Sequence, residues 1–178
     1  MSAAEIFSKL LFDASQGTAA PWQIVNDDVM GGVSTSNLHM EAAAAVFQGE
    51  LSRRNNGGFA SVRLGMSAPD LSSCDTFRLI LRGDGRRYRF TVRTADSPEG
   101  VSYQCNLETR SAAWETHLVL FHRFAASIRG RALPDAAPMD PANITTLGFL
   151  ISDQQEGPFR LEIARIEGCT WQLENPPV

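Results

Sequence analysis

From Trp22 onward, clusters of Gly, Pro, Asn, Asp and Ser recur about every ten residues, and the short segments between them alternate or run apolar. Such punctuation leaves no room for helices long enough to build a core. Strands are expected near 22–25, 34–40, 45–52, 59–64, 76–82, 87–94, 101–107, 114–120, 146–152 and 159–166. This many short strands with no helical segments between them predict an all-β sandwich of two sheets. The best helical spacing lies ahead of them, with apolar residues at 6, 7, 10 and 11 in Ala3–Phe12, and predicts a short N-terminal helix.

The stretch 76–94 reads as a hairpin. Pairing residues whose numbers sum to 169 sets Leu81 opposite Tyr88, Leu79 opposite Phe90 and Phe77 opposite Val92, with Gly83-Asp84-Gly85-Arg86 as the loop. The other face then carries Arg78, Arg82, Arg87, Arg89 and Arg93. Like charges directly opposed across strands cost stability unless something anionic lies between them. Either a neighbouring strand supplies carboxylates, for which Glu108, Glu115 and Glu162 are candidates, or the face binds a partner, since arginine forks suit carboxylates and sugar hydroxyls. In the last strand, Phe159 to Ile163 alternates and Ile166 then falls on the wrong parity, which predicts a bulge near Ala164-Arg165.

Two polar corners of similar construction precede core strands. One is Asn26-Asp27-Asp28-Val29-Met30-Gly31-Gly32, entered from Trp22–Val25, and the other is Asn55-Asn56-Gly57-Gly58 before Phe59–Arg63. The adjacent carboxylates Asp27 and Asp28 point to opposite faces of an extended chain, so they do not form an acid–base pair. Hydrogen bonds to backbone amides of the turn are their expected task. Asn26, Asp27 and Asp28 are hard oxygen donors, but the ligand spacing of a dedicated calcium loop is missing, and no metal is assigned. The glycine pairs lead into strands rather than a helix N-terminus, and no Lys-Ser or Lys-Thr follows them, so a phosphate cradle is unsupported.

At 178 residues the chain fits a single domain, 1–178, large enough to bury a core without staples. Its formal net charge of -4 argues against nucleic-acid binding. Cys74, Cys105 and Cys169 are far apart without a CxxC pair and read as buried thiols. No apolar run is long enough to span a bilayer, and the start lacks a basic region followed by an apolar core, so a cytoplasmic location is expected. Of the histidines, only His117 and His122 are near each other. His122 with Ser34 or Cys105 would make a nucleophile and base, yet Ser34 sits in no nucleophile elbow and no third residue presents itself. Trp22 and Trp114 begin strands beside core residues and are expected to be buried, which leaves Trp171 as the one tryptophan for display. The longest irregular part, Ala125 to Asn143, contains Pro134, Pro138, Pro141 and Ile128-Arg129-Gly130-Arg131.

Taken in order, Trp22-x-x-x-Asn26-Asp27-x-Val29-Met30-Gly31-Gly32-Val33-Ser34, Phe47-x-Gly49-x-Leu51-Ser52, Asn55 to Arg63, Arg82 to Tyr88, Tyr103-Gln104, Trp114, Arg129-Gly130-Arg131, Leu147-Gly148-Phe149 and Gly157-Pro158-Phe159-x-Leu161-Glu162-Ile163 resemble the blocks of the complex I intermediate-associated protein 30 family. The resemblance covers about residues 10 to 168. It implies a galactose-binding-like jelly-roll sandwich and a role without catalytic residues or cofactor, that of an assembly factor for NADH:ubiquinone oxidoreductase. The chain departs from the family at Leu120-Phe121, where a Pro-Phe pair is usual, and at Ala126-Ser127, where a proline is expected. The function expected is therefore a protein-binding module acting as a chaperone-like assembly factor on a membrane or redox complex. Its surface would combine the arginine face, Arg129, Arg131 and the two corners (Asn26, Asp27, Asp28, Gly31, Gly32, Asn55, Asn56, Gly57, Gly58). A carbohydrate-binding domain is the alternative.

Overall fold

The computed structural model describes residues 3–16 and 20–173. Thirteen strands follow in chain order: β1 Ala3–Asp13, β2 Trp22–Asn26, β3 Thr35–Glu41, β4 Ala44–Leu51, β5 Ala60–Gly65, β6 Thr76–Arg82, β7 Arg87–Thr94, β8 Val101–Glu108, β9 Trp114–Leu120, β10 Ala125–Ile128, β11 Arg131–Ala132, β12 Ile144–Ile151 and β13 Gly157–Leu173. They form two sheets. Sheet A has the order β3-β4-β13-β6-β9, with β1 also paired to β13, and sheet B has the order β11-β10-β8-β7-β12-β5-β2. All ten strands read from the sequence are present, nine of them within a few residues of their expected limits and the last, expected at 159–166, running on to Leu173. The inner faces meet in one core of alternating residues, with Phe47, Leu79, Leu81, Phe90, Phe149, Leu161 and Ile163 fully buried.

The expected N-terminal helix is a strand. β1 runs antiparallel to β13 with register shifts between Glu5 and Phe7 and between Leu10 and Phe12. Each shift flips the parity of the residues beyond it, and the resulting spacing imitates a helical period. Phe12 is buried while Phe7 and Leu10 are exposed. The bulge expected at Ala164-Arg165 is present, as β13 shifts register against β6 between Ile163 and Arg165, and Ile163 and Ile166 both reach the core.

The expected 76–94 hairpin does not form, because β6 belongs to sheet A and β7 to sheet B. Residues 83–86 make an arch from one sheet to the other. The Asp84 carboxylate accepts from Arg86 N at 3.1 Å, Tyr88 Oη at 3.1 Å and Arg160 N at 2.8 Å. Thr109 braces the arch by donating to Arg86 O at 2.9 Å and accepting from Gly85 N at 3.2 Å. Its side chain fills the space that a Cβ at Gly83 would need. Apolar alternation marks which residues face the core, and a hairpin and an inter-sheet arch satisfy it equally. Phe77 and Phe90 consequently meet across the core, edge to face at 5.1 Å, rather than along a shared sheet.

β13 is the spine of sheet A. Its first half pairs β4 through residues 157–163, its middle pairs β6 through 162–169, and its second half pairs β1 through 165–173. The expected irregular segment 125–143 is also partly regular. β10 adds to β8, and β11 folds back on β10 through Arg129 and Gly130, both at positive φ.

Candidate functional site

The two diglycine corners are one structure. β2 and β5 pair antiparallel from Trp22↔Leu64 to Asn26↔Ala60, which brings the segments beyond Asn26 and before Ala60 side by side. Asp27, 1% exposed, joins them. Its Oδ1 accepts from Ser34 N at 3.0 Å, and its Oδ2 accepts from Ser34 Oγ at 2.5 Å, Gly58 N at 2.6 Å and Phe59 N at 3.3 Å. Ser34 Oγ in turn accepts from Ser52 N at 3.0 Å. Asn55 Nδ2 donates to Gly31 O at 3.3 Å, and Asn26 Oδ1 accepts from Ser36 Oγ at 2.7 Å.

The glycines have separate tasks. A Cβ at Gly32 or Gly57 would overlap the Asp27 side chain, so those two make room for the carboxylate, whereas Gly31 (φ 85°) and Gly58 (φ 120°) supply left-handed turns. Asn55 and Asn56 also take positive φ, for which asparagine is suited. Burial, the largest single influence on Asp27, pushes its carboxyl up. The bonds from Gly58, Ser34 and Phe59 together outweigh it and hold the pKa below the ordinary value. Both carboxylate oxygens are occupied by N–H and O–H donors, the hydrogen-bonded turn expected of this stretch. Asp28 points away, exposed, and accepts from Val29 N at 3.0 Å.

On the outside of this knot stand Val29 and Met30, each 70% exposed on the 3-10 turn Asp27–Met30. Arg53 and Arg54, also exposed, lie on the facing loop. The loops 52–58, 83–86 and 152–156 gather at the same end of the sandwich, tied by Arg53 N to Glu156 Oε1 at 3.2 Å and Arg86 Nη2 to Glu156 O at 2.8 Å.

The single arginine face expected from the hairpin divides between opposite faces of the molecule. Arg78 and Arg82 lie on the outside of sheet A, where Arg78 pairs with Glu167 at 2.6 Å and Arg82 with Glu162 at 2.5 Å. Glu162 also holds Arg160 at 2.9 Å, and Arg160 reaches Glu41 at 3.0 Å. For these two arginines the carboxylates come from the neighbouring strand β13, Glu162 among them as expected. Arg87, Arg89 and Arg93 lie on the outside of sheet B. Arg87 stands opposite Glu108, Arg89 pairs with Asp153 and bonds Gln104, and Arg93 donates to Val101 O at 3.2 Å. Arg129 and Arg131 are exposed at the β10–β11 tip.

Segment 125–143 covers a groove of about 670 Å³ lined by Tyr103, Phe121, Phe124, Leu133, Pro134 and Met139. The nucleophile–base arrangement is not assembled. Ser34 is committed to Asp27, Cys105 donates only to Asn106 O, and burial pushes its thiol up. No hydrogen bond links either to His122, which is exposed. Trp114 is 44% exposed rather than buried, with the Arg82 guanidinium 4.9 Å from its ring centroid. The side chain of Trp171 lies outside the described residues. No group of three or more His, Cys, Asp or Glu side chains among the described residues is arranged to hold a metal ion. No described helix is long and apolar enough to cross a membrane.

Sequence reasoning missed the role of Ser34 as a partner of Asp27. The two are seven residues apart with a turn between them, and no short motif announces the pairing. It also passed over Arg63, whose neighbours are set by the strand order of sheet B.

A sequence model of the family described as complex I intermediate-associated protein 30 matches residues 10–163. The mitochondrial complex I intermediate-associated protein 30 of Mus musculus is 29% identical over 185 residues, covering 88% of this chain and 56% of the mouse protein. A probable counterpart in Caenorhabditis elegans is 28% identical over 163 residues, covering 80% and 48%. The chain thus spans about half the length of these relatives. Among solved structures, the family 11 carbohydrate-binding module of a Clostridium thermocellum cellulosomal cellulase superposes with a TM-score of 0.67 at 14% identity, covering 98% of this chain and all of the module. An agarase, AgWH50C, superposes with a TM-score of 0.62 at 13% identity over 96% of this chain and 25% of the enzyme. At these identities the likeness is one of fold, a jelly-roll β-sandwich of the galactose-binding-like kind.

Proposed function

Because the chain belongs to the complex I intermediate-associated protein 30 family, we propose that it is a non-enzymatic protein-binding module that assists assembly of a membrane or redox complex such as NADH dehydrogenase. The observation that carries this reading is the Asp27 knot with its displayed side chains. Two loops are clamped by one buried carboxylate, and the clamp presents Val29 and Met30 to solvent at 70% exposure each. A rigid apolar pair loses little conformational entropy on docking, and methionine adapts to an irregular partner surface. Arg53 and Arg54, exposed on the loop whose Asn55 bonds Gly31 O, add basic groups suited to a client with carboxylates around an apolar recess.

The names of the relatives speak of complex I and of mitochondria, and those words support an assembly role here. They also set the expected cytoplasmic location against a mitochondrial one, which fractionation of the host decides. The carbohydrate-binding alternative has the fold in its favour. Against it, Arg82 already occupies one face of Trp114, the exposed tryptophan among those with described side chains.

The test is affinity capture from the native host with the wild type and a Val29→Asp/Met30→Asp double variant. Recovery of subunits of one membrane complex by the wild type, lost in a variant of unchanged melting temperature, is the expected result. An empty capture together with a positive glycan array overturns the reading.

A further inference from the structure

The outside of sheet B holds a second, independent feature. On β5, β12 and β7 the outward residues are set by register: Arg63 stands opposite Gly148, Gly148 opposite Thr91, and Thr146 opposite Arg93. Arg63 and Arg93 therefore flank the same central strand from its two sides. Between them lie the Thr146 side chain and Gly148, which is buried: a Cβ there would overlap Val62 O and the Thr91 hydroxyl.

The rest of this face shows how the protein treats arginines it intends to neutralise. Arg89 has Asp153 and Gln104, while Arg87, exposed to solvent, stands opposite Glu108. The Arg63 guanidinium makes no hydrogen bond or ion pair with any described residue. Arg93 is anchored by a single bond to Val101 O and pairs with no carboxylate among them. Both are partly buried, and burial lowers the pKa of each, the Arg93 charge adding to the effect on Arg63. Asp96 and Glu99, in the turn after β7, make no ion pair with Arg93. Two cations are thus partly withdrawn from water, close enough to repel, and left with unused donors on either side of β12.

We propose that Arg63 and Arg93 form a binding site for a carboxylate, supplied by an acidic, extended peptide segment that lies across β12 between them. Each guanidinium has N–H donors free to share a carboxylate, and an anion between them converts their repulsion into attraction. Thr91 and Thr146, both partly buried, add hydroxyl groups on the strands between the two guanidinium groups. The choice of a peptide rests on the protein-client reading above; the Arg63–Arg93 site itself does not.

The experiment is fluorescence anisotropy of a labelled Gly-Glu-Gly-Glu-Gly-Glu peptide on the full chain, with unlabelled oligogalacturonate and inorganic phosphate as competitors. Saturable binding is expected, weakened about tenfold or more by Arg63→Gln or Arg93→Gln, a factor that corresponds to a charge-assisted hydrogen bond. Arg63→Lys keeps the charge and loses the fork, so it should fall between wild type and Arg63→Gln. The Gln variants should melt at or above the wild-type temperature without ligand, because they relieve repulsion. Retained binding in Arg63→Gln/Arg93→Gln, or a lower melting temperature in both single variants, overturns the site. Competition by oligogalacturonate at lower concentration than unlabelled peptide overturns the peptide and leaves an acidic sugar in its place. Client capture through Val29 and Met30 is measured separately, so either reading can fail alone.

Discussion

Asp27→Asn is the substitution that separates the charge of the knot from its packing. The side chain keeps its volume, so no cavity forms. The aspartate accepts four hydrogen bonds, two from the backbone of the second loop and two from Ser34. An asparagine presents one oxygen and one NH2 group. If its oxygen takes the Oδ2 position, the NH2 faces Ser34 N; if it takes the Oδ1 position, the NH2 faces Gly58 N, Phe59 N and Ser34 Oγ. A donor meets a donor in either orientation. With one bond replaced by a donor–donor contact and three falling from charge-assisted strength to about 1 kcal/mol each, the variant should lose about 3 to 4 kcal/mol. For a domain of this size that corresponds to roughly 6 to 16 °C in melting temperature. Urea unfolding followed by circular dichroism measures it directly, with the midpoint falling and the slope unchanged. A melting temperature within about 2 °C of wild type would show that water or backbone adjustment satisfies the four donors, and the view of Asp27 as the clamp of this corner would be wrong.

Four further outcomes follow from the same geometry. Gly32→Ala and Gly57→Ala each push a methyl group into the Asp27 carboxylate and should cost about 1 to 3 kcal/mol as overpacking in a rigid site, read by thermal melting. The depressed Asp27 pKa means that its contribution is complete above the ordinary aspartate value of about 3.9 and is lost as pH falls through its lower folded value; the stability gap between wild type and Asp27→Asn should therefore narrow only below about pH 4. Val29→Asp/Met30→Asp should change stability by less than about 0.5 kcal/mol, as exposed positions do, while client capture is lost. Glu162→Gln leaves Arg82 and Arg160 without their shared carboxylate and should destabilise by about 1 to 3 kcal/mol, with the effect persisting in high salt because the carboxylate is buried.

The sandwich and the inward-facing set were legible because both depend on local signals, turn residues and alternation. The partner of each strand was not. Phe77 and Phe90 sort inward whether β6 and β7 pair or part, and the bonds that hold the arch, from Asp84 within it to Arg160 and from Thr109 outside it, join residues far apart in the sequence. For the same reason five arginines on the outward positions of the two strands suggest one surface and prove to be two. β1 was misread for a different cause, since two bulges within its length break the period of two on which strand recognition rests. At the corner, the glycines and asparagines signalled a built turn, yet the hydroxyl of Ser34 that completes it could be found only by folding the chain.

The position of β13 bears on how the molecule comes into being. Sheet A cannot close until residues 157–173 have been made, since they separate β4 from β6 and hold β1 in place. On the ribosome, β1, β3, β4, β6 and β9 emerge first and wait with unpaired edges for the strand between them. Contacts this distant in sequence slow folding relative to a chain of local hairpins, and waiting edges are prone to pair wrongly. A protein proposed to hold immature partners is thus itself exposed during synthesis, and its yield in a host should depend on the speed of translation through its final third.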